Sequence, residues 1–293
     1  MKKVSWSRVI DDCRGAMRGA TGRTLHWMSD LLDNALSGRK RDENARRCQD
    51  ENPDRCIEGC TSLIQSGQEP NNNLSIAFNN RGLALGLRGD FDQAIRDFDQ
   101  ALKLNPSYAE AFRNRGEAYR LKGLYDLAIQ NFDQALRLDP IHARAFNGRG
   151  NVYESKGDIH RAIRDYGQAI RLNPNDDSAL SNLAWLYATA TDRTLRNPAK
   201  ALEYALRAVA ISGANNADDL DTLAEAYYVN GDYSNAILTE KRAVALQSDS
   251  TTREDFEKSL AKFEMSQKQL EQPQHSWMKL HGEVQFGLPQ PQG

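Results

Sequence analysis

Residues of the same character recur along the middle of the chain at a constant step of 34 residues. The aromatic residue Phe78, for example, is followed by Phe112 and Phe146. The other sets that recur at this step are Gly89, Gly123 and Gly157; Ala94, Ala128 and Ala162; Ala101, Ala135 and Ala169; and Pro106, Pro140 and Pro174. A repeat of this length predicts supersecondary units that stack on one another, here at 75–108, 109–142 and 143–176.

Each copy predicts two helices joined by a tight turn. Apolar or small residues lie at positions i, i+4 and i+7, which share one face of a helix. The second copy has this spacing in both helices, with Phe112, Gly116 and Tyr119 in the first and Ala128, Phe132 and Ala135 in the second. Gly123 supplies the left-handed backbone that ends a helix, and Pro140 cannot donate the bond that would continue one. The pattern therefore predicts an all-α protein.

Two less regular copies follow, at 177–216 and 217–248. The fourth copy has about five extra residues between its helices, which predicts a longer loop around 188–197 before a helix that begins at Pro198. The fifth copy has Glu240 where the regular copies place an aromatic residue. Segment 249–271 predicts an amphipathic capping helix, because the last unit of a stack needs a polar outer face.

The residues before the first copy divide into two parts. Segment 48–74 predicts a degenerate leading half-repeat, since Cys56, Cys60 and Leu63 have the spacing of the second helix of a regular copy. Segment 1–47 is basic and contains an apolar helical stripe at 24–36, which predicts a helix that packs on the repeats or contacts a membrane surface. At the other end, 272–293 is rich in Gln and Pro and predicts a disordered tail.

These repeats resemble the tetratricopeptide repeat (TPR) family, whose pattern is an aromatic residue, Leu-Gly, Tyr, then Ala, an aromatic residue, Ala and Pro. The resemblance covers roughly 48–266 and implies a right-handed α-solenoid of five repeats with a C-terminal capping helix. The leading half-repeat is similar to that of a group of bacterial TPR proteins with a cysteine in this helix. In exported members an upstream cysteine often pairs with it, which here implies a Cys48–Cys60 disulfide.

Composition narrows the class of function. The 293 residues carry 38 Lys and Arg against 40 Asp and Glu, and this near balance argues against general nucleic-acid binding. No stretch approaches the roughly 20 apolar residues of a membrane-spanning helix. The mean hydropathy of −0.69 suits an elongated fold with much surface per residue. The histidines form no metal-binding or catalytic pattern and the glycines form no phosphate loop, so we expect neither an enzyme nor a cofactor.

Two sets of residues keep alternative interpretations at this stage. Cys56 and Cys60 fit core packing as well as a disulfide, and a metal site is the remaining alternative. Arginines stand where the family usually has Leu, and each can pair with a second-helix residue 16 positions later or present a ladder to an anionic ligand. These pairs are Arg81 with Asp97, Arg115 with Asn131, and Arg149 with Asp165.

The first helices of a TPR solenoid line its concave groove, so the resemblance implies a peptide-binding surface there. The candidate residues are Asn79, Asn80, Arg113, Asn114, Glu117, Arg144, Asn147, Asn151 and Asn182. Asn80, Asn114 and Asn182 share one register, which resembles the asparagine ladder of the O-GlcNAc transferase solenoid. Amides pair with an extended backbone whatever its side chains, although idle solvation explains such residues equally well.

Two further patterns refine this surface. The carboxylate clamp of chaperone-binding TPR domains is not matched, because Asn79, Leu83 and Gly148 stand at its required positions. Charge changes along the first helices from arginines such as Arg113 to acidic residues such as Asp218, which favours a partner segment of opposite polarity.

The chain is therefore predicted to be a non-catalytic scaffold that binds an extended segment of a partner protein in the concave TPR groove. An exported or envelope-associated assembly factor with the Cys48–Cys60 disulfide is the alternative. The start of the chain reads as cytoplasmic, because Asp11, Asp12 and Arg14 interrupt any apolar signal core, and a periplasmic or membrane-associated location goes with the alternative.

Overall fold

The computed structural model describes residue 38 and residues 40–271. The stripe at 24–36 and the tail at 272–293 lie outside these residues. In this part of the chain the regular structure is helical, with no strand. The residues form two compact units, the first ending at Pro140 and the second beginning at Ile141.

The first unit consists of helices that pack in sequence order. Residues 40–47 are helical and lead into the half-repeat. The helices that follow are α1 (Pro53–Ser66), α2 (Asn71–Leu87), α3 (Phe91–Leu104), α4 (Ala109–Leu121) and α5 (Tyr125–Leu138). Helices α2 and α3 form one hairpin and α4 and α5 the next, while α1 packs on α2 and α3 packs on α4. The stack of hairpins predicted from the repeat is confirmed in this unit.

The second unit follows the same plan with one interruption. Its helices are α6 (Ala143–Ser155), α7 (Ile159–Leu172), α8 (Asp177–Thr189), α9 (Pro198–Ser212), α10 (Ala217–Val229), α11 (Tyr233–Leu246) and α12 (Ser250–Glu271). The hairpins are α6 with α7, α8 with α9, and α10 with α11. A loop containing the short 3-10 helix Arg193–Leu195 separates α8 from α9, as the longer spacing of the fourth copy predicts.

Helix ends follow local side-chain chemistry. Asn52 caps α1 by accepting hydrogen bonds from the backbone N–H groups of Asp54 and Arg55, and Pro53 occupies the first helical position. Asn197 caps α9 in the same way through Lys200 N–H. These side chains satisfy donors that the first turn of a helix leaves without a partner.

The regular hairpins bury their repeated positions completely. Ala128, Phe132 and Ala135 are fully buried, and so are the equivalent residues of the third copy. A Cβ atom at Gly116 would lie 3.2 Å from the Phe132 ring, and one at Gly150 would lie 2.6 Å from the Tyr166 ring. Glycine at this position therefore lets the two helices of a hairpin approach closely.

The half-repeat lies at the start of the first unit, and the capping helix lies at the end of the second. Cys48 and Cys60 form a disulfide, and Cys56 remains a buried thiol beside it, so core packing and a disulfide both occur here. Helix α12 packs on α11 and buries Phe256 and Phe263, as expected of a capping helix.

Candidate functional site

The candidate asparagines of the first unit bond to one another and to the backbone. Asn114 Nδ2 donates to Asn79 Oδ1 at 2.8 Å, and the two residues are only 3% and 4% exposed. Asn80 is partly exposed, but its amide donates to the Cys48 carbonyl at 3.2 Å. A residue that contacts a peptide in the groove must be exposed, but Asn79 and Asn114 are buried because the side chains of neighbouring repeats meet at this register.

Charged side chains lie beside these amides on α4. Arg113 contacts both Asn114 and Glu110 through one terminal nitrogen, while its buried Nε has no hydrogen-bond partner. Glu117, one turn further on, accepts hydrogen bonds from Arg120 at 2.6–3.1 Å. Both candidates therefore lie partly exposed on the first-helix face of this unit.

An apolar cleft of about 210 Å³ opens next to these polar residues. Its lining combines residues of α2, α3 and α4, namely Gly82, Leu83, Gly86, Leu87, Phe91, Phe98, Arg113, Asn114, Glu117, Ala118 and Leu121. Leu83, Leu87 and Leu121 are 44%, 71% and 49% exposed. Three exposed leucines around one cleft form an apolar patch, which on a soluble protein indicates an interaction site.

One departure from the repeat pattern could have indicated this cleft from the sequence. The 34-residue step takes Gly86 to Arg120 and Glu154, so a residue with a long side chain in the other regular copies is a glycine here. A Cβ atom at Gly86 would meet nothing within 4 Å, so this glycine leaves open space rather than allowing close packing.

The candidates of the second unit form another polar cluster. Asn182 Nδ2 donates to Asn147 Oδ1 at 3.2 Å and to Asn151 Oδ1 at 2.9 Å. The Tyr166 hydroxyl lies 2.7 Å from Asn151 Oδ1. The three asparagines are partly exposed, and Arg144 at the start of α6 is exposed. Contact of any of these residues with a peptide stays a prediction.

The repeated arginines pair within their hairpins. Arg149 binds Asp165 with both nitrogens of one guanidinium edge, at 2.7 and 2.9 Å, and Arg81 binds Asp97 in the same way. Arg115 donates to Asn131 at 2.8 Å. Each guanidinium also lies about 5.5 Å from the signature aromatic ring of its own helix, which adds a cation–π contact. The structure thus supports pairing rather than a ladder for an anionic ligand.

Acidic residues concentrate around α10 in the second unit. Glu240 of α11 is completely buried, and neither of its oxygens accepts a hydrogen bond. Burial and the neighbouring Asp221 raise the pKa of Glu240 to about 9, and burial raises the pKa of Asp221 to about 6. On the same side Lys262 of α12 donates to both oxygens of Glu225, at 2.9 and 2.8 Å. Sequence reasoning missed Lys262 because α12 lies outside the repeats.

Helical hairpins that stack in sequence order, with polar and apolar side chains on the face of the first helices, define a repeat protein of the protein-interaction class. A family model described as tetratricopeptide repeat matches residues 79–143, and a second one matches 143–176. Residues 79–176 therefore consist of tetratricopeptide repeats. No curated protein matches the chain.

Solved structures show the same fold. Pseudomonas aeruginosa PilF is 18% identical with a TM-score of 0.55, and the match covers 72% of this chain and 98% of that one. A thermophilic TPR protein of Thermus thermophilus is 21% identical with a TM-score of 0.52, covering 64% and 99% of the two chains. YrrB, a TPR protein with an unusual peptide-binding site, is 22% identical with a TM-score of 0.48, covering 69% and 99%.

The tetratricopeptide repeats that the family models match support a protein-interaction scaffold. Among the described residues, none of the helices has the length and apolar character needed to cross a membrane.

Proposed function

We propose that this protein is a non-catalytic scaffold that binds an extended segment of a partner protein on its first-helix face. In the first unit the segment inserts an apolar side chain into the cleft between α2 and α4. The observation that carries this proposal is the cleft itself, an apolar surface of exposed leucines next to a polar group that lacks a partner.

The size of the cleft favours a peptide side chain over a small molecule. Pockets for drug-sized ligands usually measure about 300–1,000 Å³, and this cleft of about 210 Å³ is smaller and open to solvent. Burying one large apolar side chain supplies about 1.5–3 kcal/mol. One such anchor gives roughly a tenfold to hundredfold change in affinity, which is a measurable contribution to a peptide complex.

The polar edge of the cleft orients the bound segment of the partner. The Nε–H of Arg113 is a buried donor with no acceptor, and leaving such a group without a partner costs about 1–3 kcal/mol. A carbonyl or carboxylate oxygen of the bound segment is the acceptor that this donor lacks. An apolar residue followed by an oxygen acceptor is the arrangement that we expect in the ligand.

The test uses Gly86→Leu, which fills the cleft from its own wall. Peptides would first be selected from a random phage library on the purified full-length protein, and their affinities measured by fluorescence anisotropy. We expect Gly86→Leu to weaken the selected peptides at least about tenfold. The protein should keep its fold, because the new side chain starts in open space and replaces a helical glycine.

Gly167→Leu is the matched control, since it makes the same change in the interior of α7 and away from the cleft. Its affinity for the peptides should equal that of the wild type. If Gly86→Leu binds as tightly as Gly167→Leu, with both proteins folded by circular dichroism, the cleft is not the binding site.

A second proposal concerns location and rests on the Cys48–Cys60 bond. Disulfides persist mainly in oxidising compartments, so the bond favours an exported or envelope-associated scaffold over a cytoplasmic one. Trapping thiols with N-ethylmaleimide in intact cells, followed by mass spectrometry, tests this. Recovery of Cys48 and Cys60 as modified thiols would contradict it.

A further inference from the structure

Helix α10 presents three acidic side chains at spacings that place them on one face. Asp218 is exposed, Asp221 is half-buried and Glu225 is buried. Positions i, i+3 and i+7 of a helix are neighbours, so the three carboxylates form one surface, called the α10 acidic face below. Because the three carboxylates repel one another, positive charge close to this helix face stabilises it.

Lys262 of α12 supplies part of that positive charge. Its ammonium donates to both oxygens of Glu225 and lies 4.2 Å from the centre of the Tyr228 ring. A carboxylate and an aromatic face together make a favourable environment for a cation. The Lys262 side chain is 45% exposed, so solvent reaches the ammonium from outside.

Glu240 adds a fourth carboxyl group beside the α10 acidic face. This fully buried carboxyl group faces Asp221 and Glu225 from α11, and no donor bonds to either of its oxygens. The pKa of Glu240 is raised by its burial and then by the charge of Asp221, so the group keeps a proton that it can share with Asp221. Protonated Glu240 adds no negative charge, so one ammonium, from Lys262, compensates the three carboxylates of the α10 acidic face.

We propose that the α10 acidic face binds a lysine or arginine side chain of the partner segment, and that Lys262 occupies this position in the free protein. The incoming basic group replaces the Lys262 ammonium on Glu225 and the Tyr228 ring, and Lys262 turns out to solvent. Helix α12 then caps the repeats and also carries Lys262, which competes with the basic side chain of the partner for the α10 acidic face.

The chemistry of the face selects the ligand. When they are ionised, Glu225 and Asp221 offer only acceptor oxygens, and a guanidinium or ammonium group offers only donors. A guanidinium also matches a carboxylate with two parallel bonds and stacks on an aromatic ring. A neutral or acidic side chain gains none of these contacts and leaves the buried Glu225 without a counter-ion.

This inference rests on the proposed function only in assuming that a partner segment is bound. The probe is a fluorescein-labelled peptide of alternating glycine and arginine, and its uncharged control replaces arginine by citrulline. Because neither peptide has an apolar side chain, Gly86→Leu should leave their binding unchanged. Failure of the cleft proposal and failure of this one are therefore distinguishable.

The decisive comparison is Lys262→Met against Lys258→Met on the same helix. Both remove one positive charge, but Lys258 pairs with Asp255 on the exposed surface of α12. Removing a competitor raises the apparent affinity by the inverse of the fraction of sites that the competitor had left free. We expect Lys262→Met to bind the arginine peptide several-fold more tightly than Lys258→Met, and Glu225→Gln in the Lys262→Met background to abolish the gain.

Equal affinities of Lys262→Met and Lys258→Met, or equal binding of the citrulline peptide, would overturn the proposal. Wild-type protein provides a second measurement in case Lys262→Met does not fold. The arginine peptide should speed acetylation of Lys262 by an amine-reactive reagent, measured by mass spectrometry, and leave Lys258 unchanged. Unchanged labelling of Lys262 at saturating peptide would also overturn it.

Discussion

The Arg149–Asp165 pair of the third repeat should stabilise the fold more than the equivalent Arg115–Asn131 pair of the second. In the wild type, Arg149 makes two bonds of 2.7 and 2.9 Å to a carboxylate, and the two side chains are 19% and 10% exposed. Arg115 makes one bond of 2.8 Å to the Asn131 amide and also pairs with Asp99 on the exposed side. The same fold thus contains one contact in which the second-helix acceptor is charged and one in which it is neutral.

The magnitude follows from the two geometries. A hydrogen bond contributes about 0.5–1.5 kcal/mol to stability, and one that involves a charged group contributes about 1.5–3 kcal/mol. Both contacts use a charged guanidinium, but Arg149 makes two parallel bonds to a carboxylate and Arg115 makes one bond to an amide. The additional bond leads us to expect a coupling energy between Arg149 and Asp165 that exceeds the coupling between Arg115 and Asn131 by about 1 kcal/mol. Arg→Met is the matching substitution at both arginines, because Met keeps the stem that packs on the aromatic ring.

The assay is a pair of double-mutant cycles followed by urea unfolding and far-ultraviolet circular dichroism. Each cycle compares the wild type, the Arg→Met variant, the variant with its partner changed to Ala, and the double variant. Additive effects in the Arg149–Asp165 cycle would refute the structural role of the pair and return the arginines to ligand binding. Equal coupling in the two cycles would refute the argument from the additional bond.

Three other changes test separate parts of the structure. Gly150→Ala should lower the free energy of unfolding by about 1–3 kcal/mol because its Cβ meets the Tyr166 ring, and a thermal melt no lower than that of Gly167→Ala would contradict this. Asn114→Ala should cost about 1–3 kcal/mol, since it leaves a buried amide without its partner; an unchanged urea midpoint would show that the bond is dispensable. In the wild type, unfolding free energy should fall as pH rises from about 4 to about 9, because folded Glu240 holds a proton that the unfolded chain has released. Glu240→Gln should lose that slope above about pH 6, where the raised pKa of Asp221 no longer contributes, in urea titrations at several pH values; parallel slopes would exclude Glu240 as the cause.

The hairpins could be predicted because one repeat period fixes both the helices and their buried face. Ala128 and Phe132 are buried for the reason that the spacing gives, and the loop before Pro198 follows from a count of residues. These features depend on local spacing alone. That is why the sequence was sufficient for them.

The candidate site was less predictable because it depends on contacts between repeats. The burial of Asn79 and Asn114 comes from the offset of two neighbouring helices, which no single-repeat pattern contains. Glu240 was visible as an exception to the aromatic pattern, but its proximity to Asp221 required the three-dimensional structure. The cysteines kept two interpretations open, since one spacing suits both a thiol in the core and a disulfide.

The hydrogen bonds between side-chain amides of neighbouring repeats bear on how such an array grows in evolution. Asn114 donates to Asn79 and Asn182 donates to Asn147, so each junction uses one residue type as donor and as acceptor. Of the three regular copies, only the first has Asn in both registers, with Asn79 in the acceptor register and Asn80 in the donor register. A tandem duplication of the coding segment for the first hairpin therefore copies both partners together, whereas a duplicated second or third hairpin would place Arg113 or Gly148 at one of the two positions. Because stability in repeat proteins depends mainly on nearest-neighbour interfaces, the array can lengthen by copies of the first hairpin without compensating substitutions at this junction.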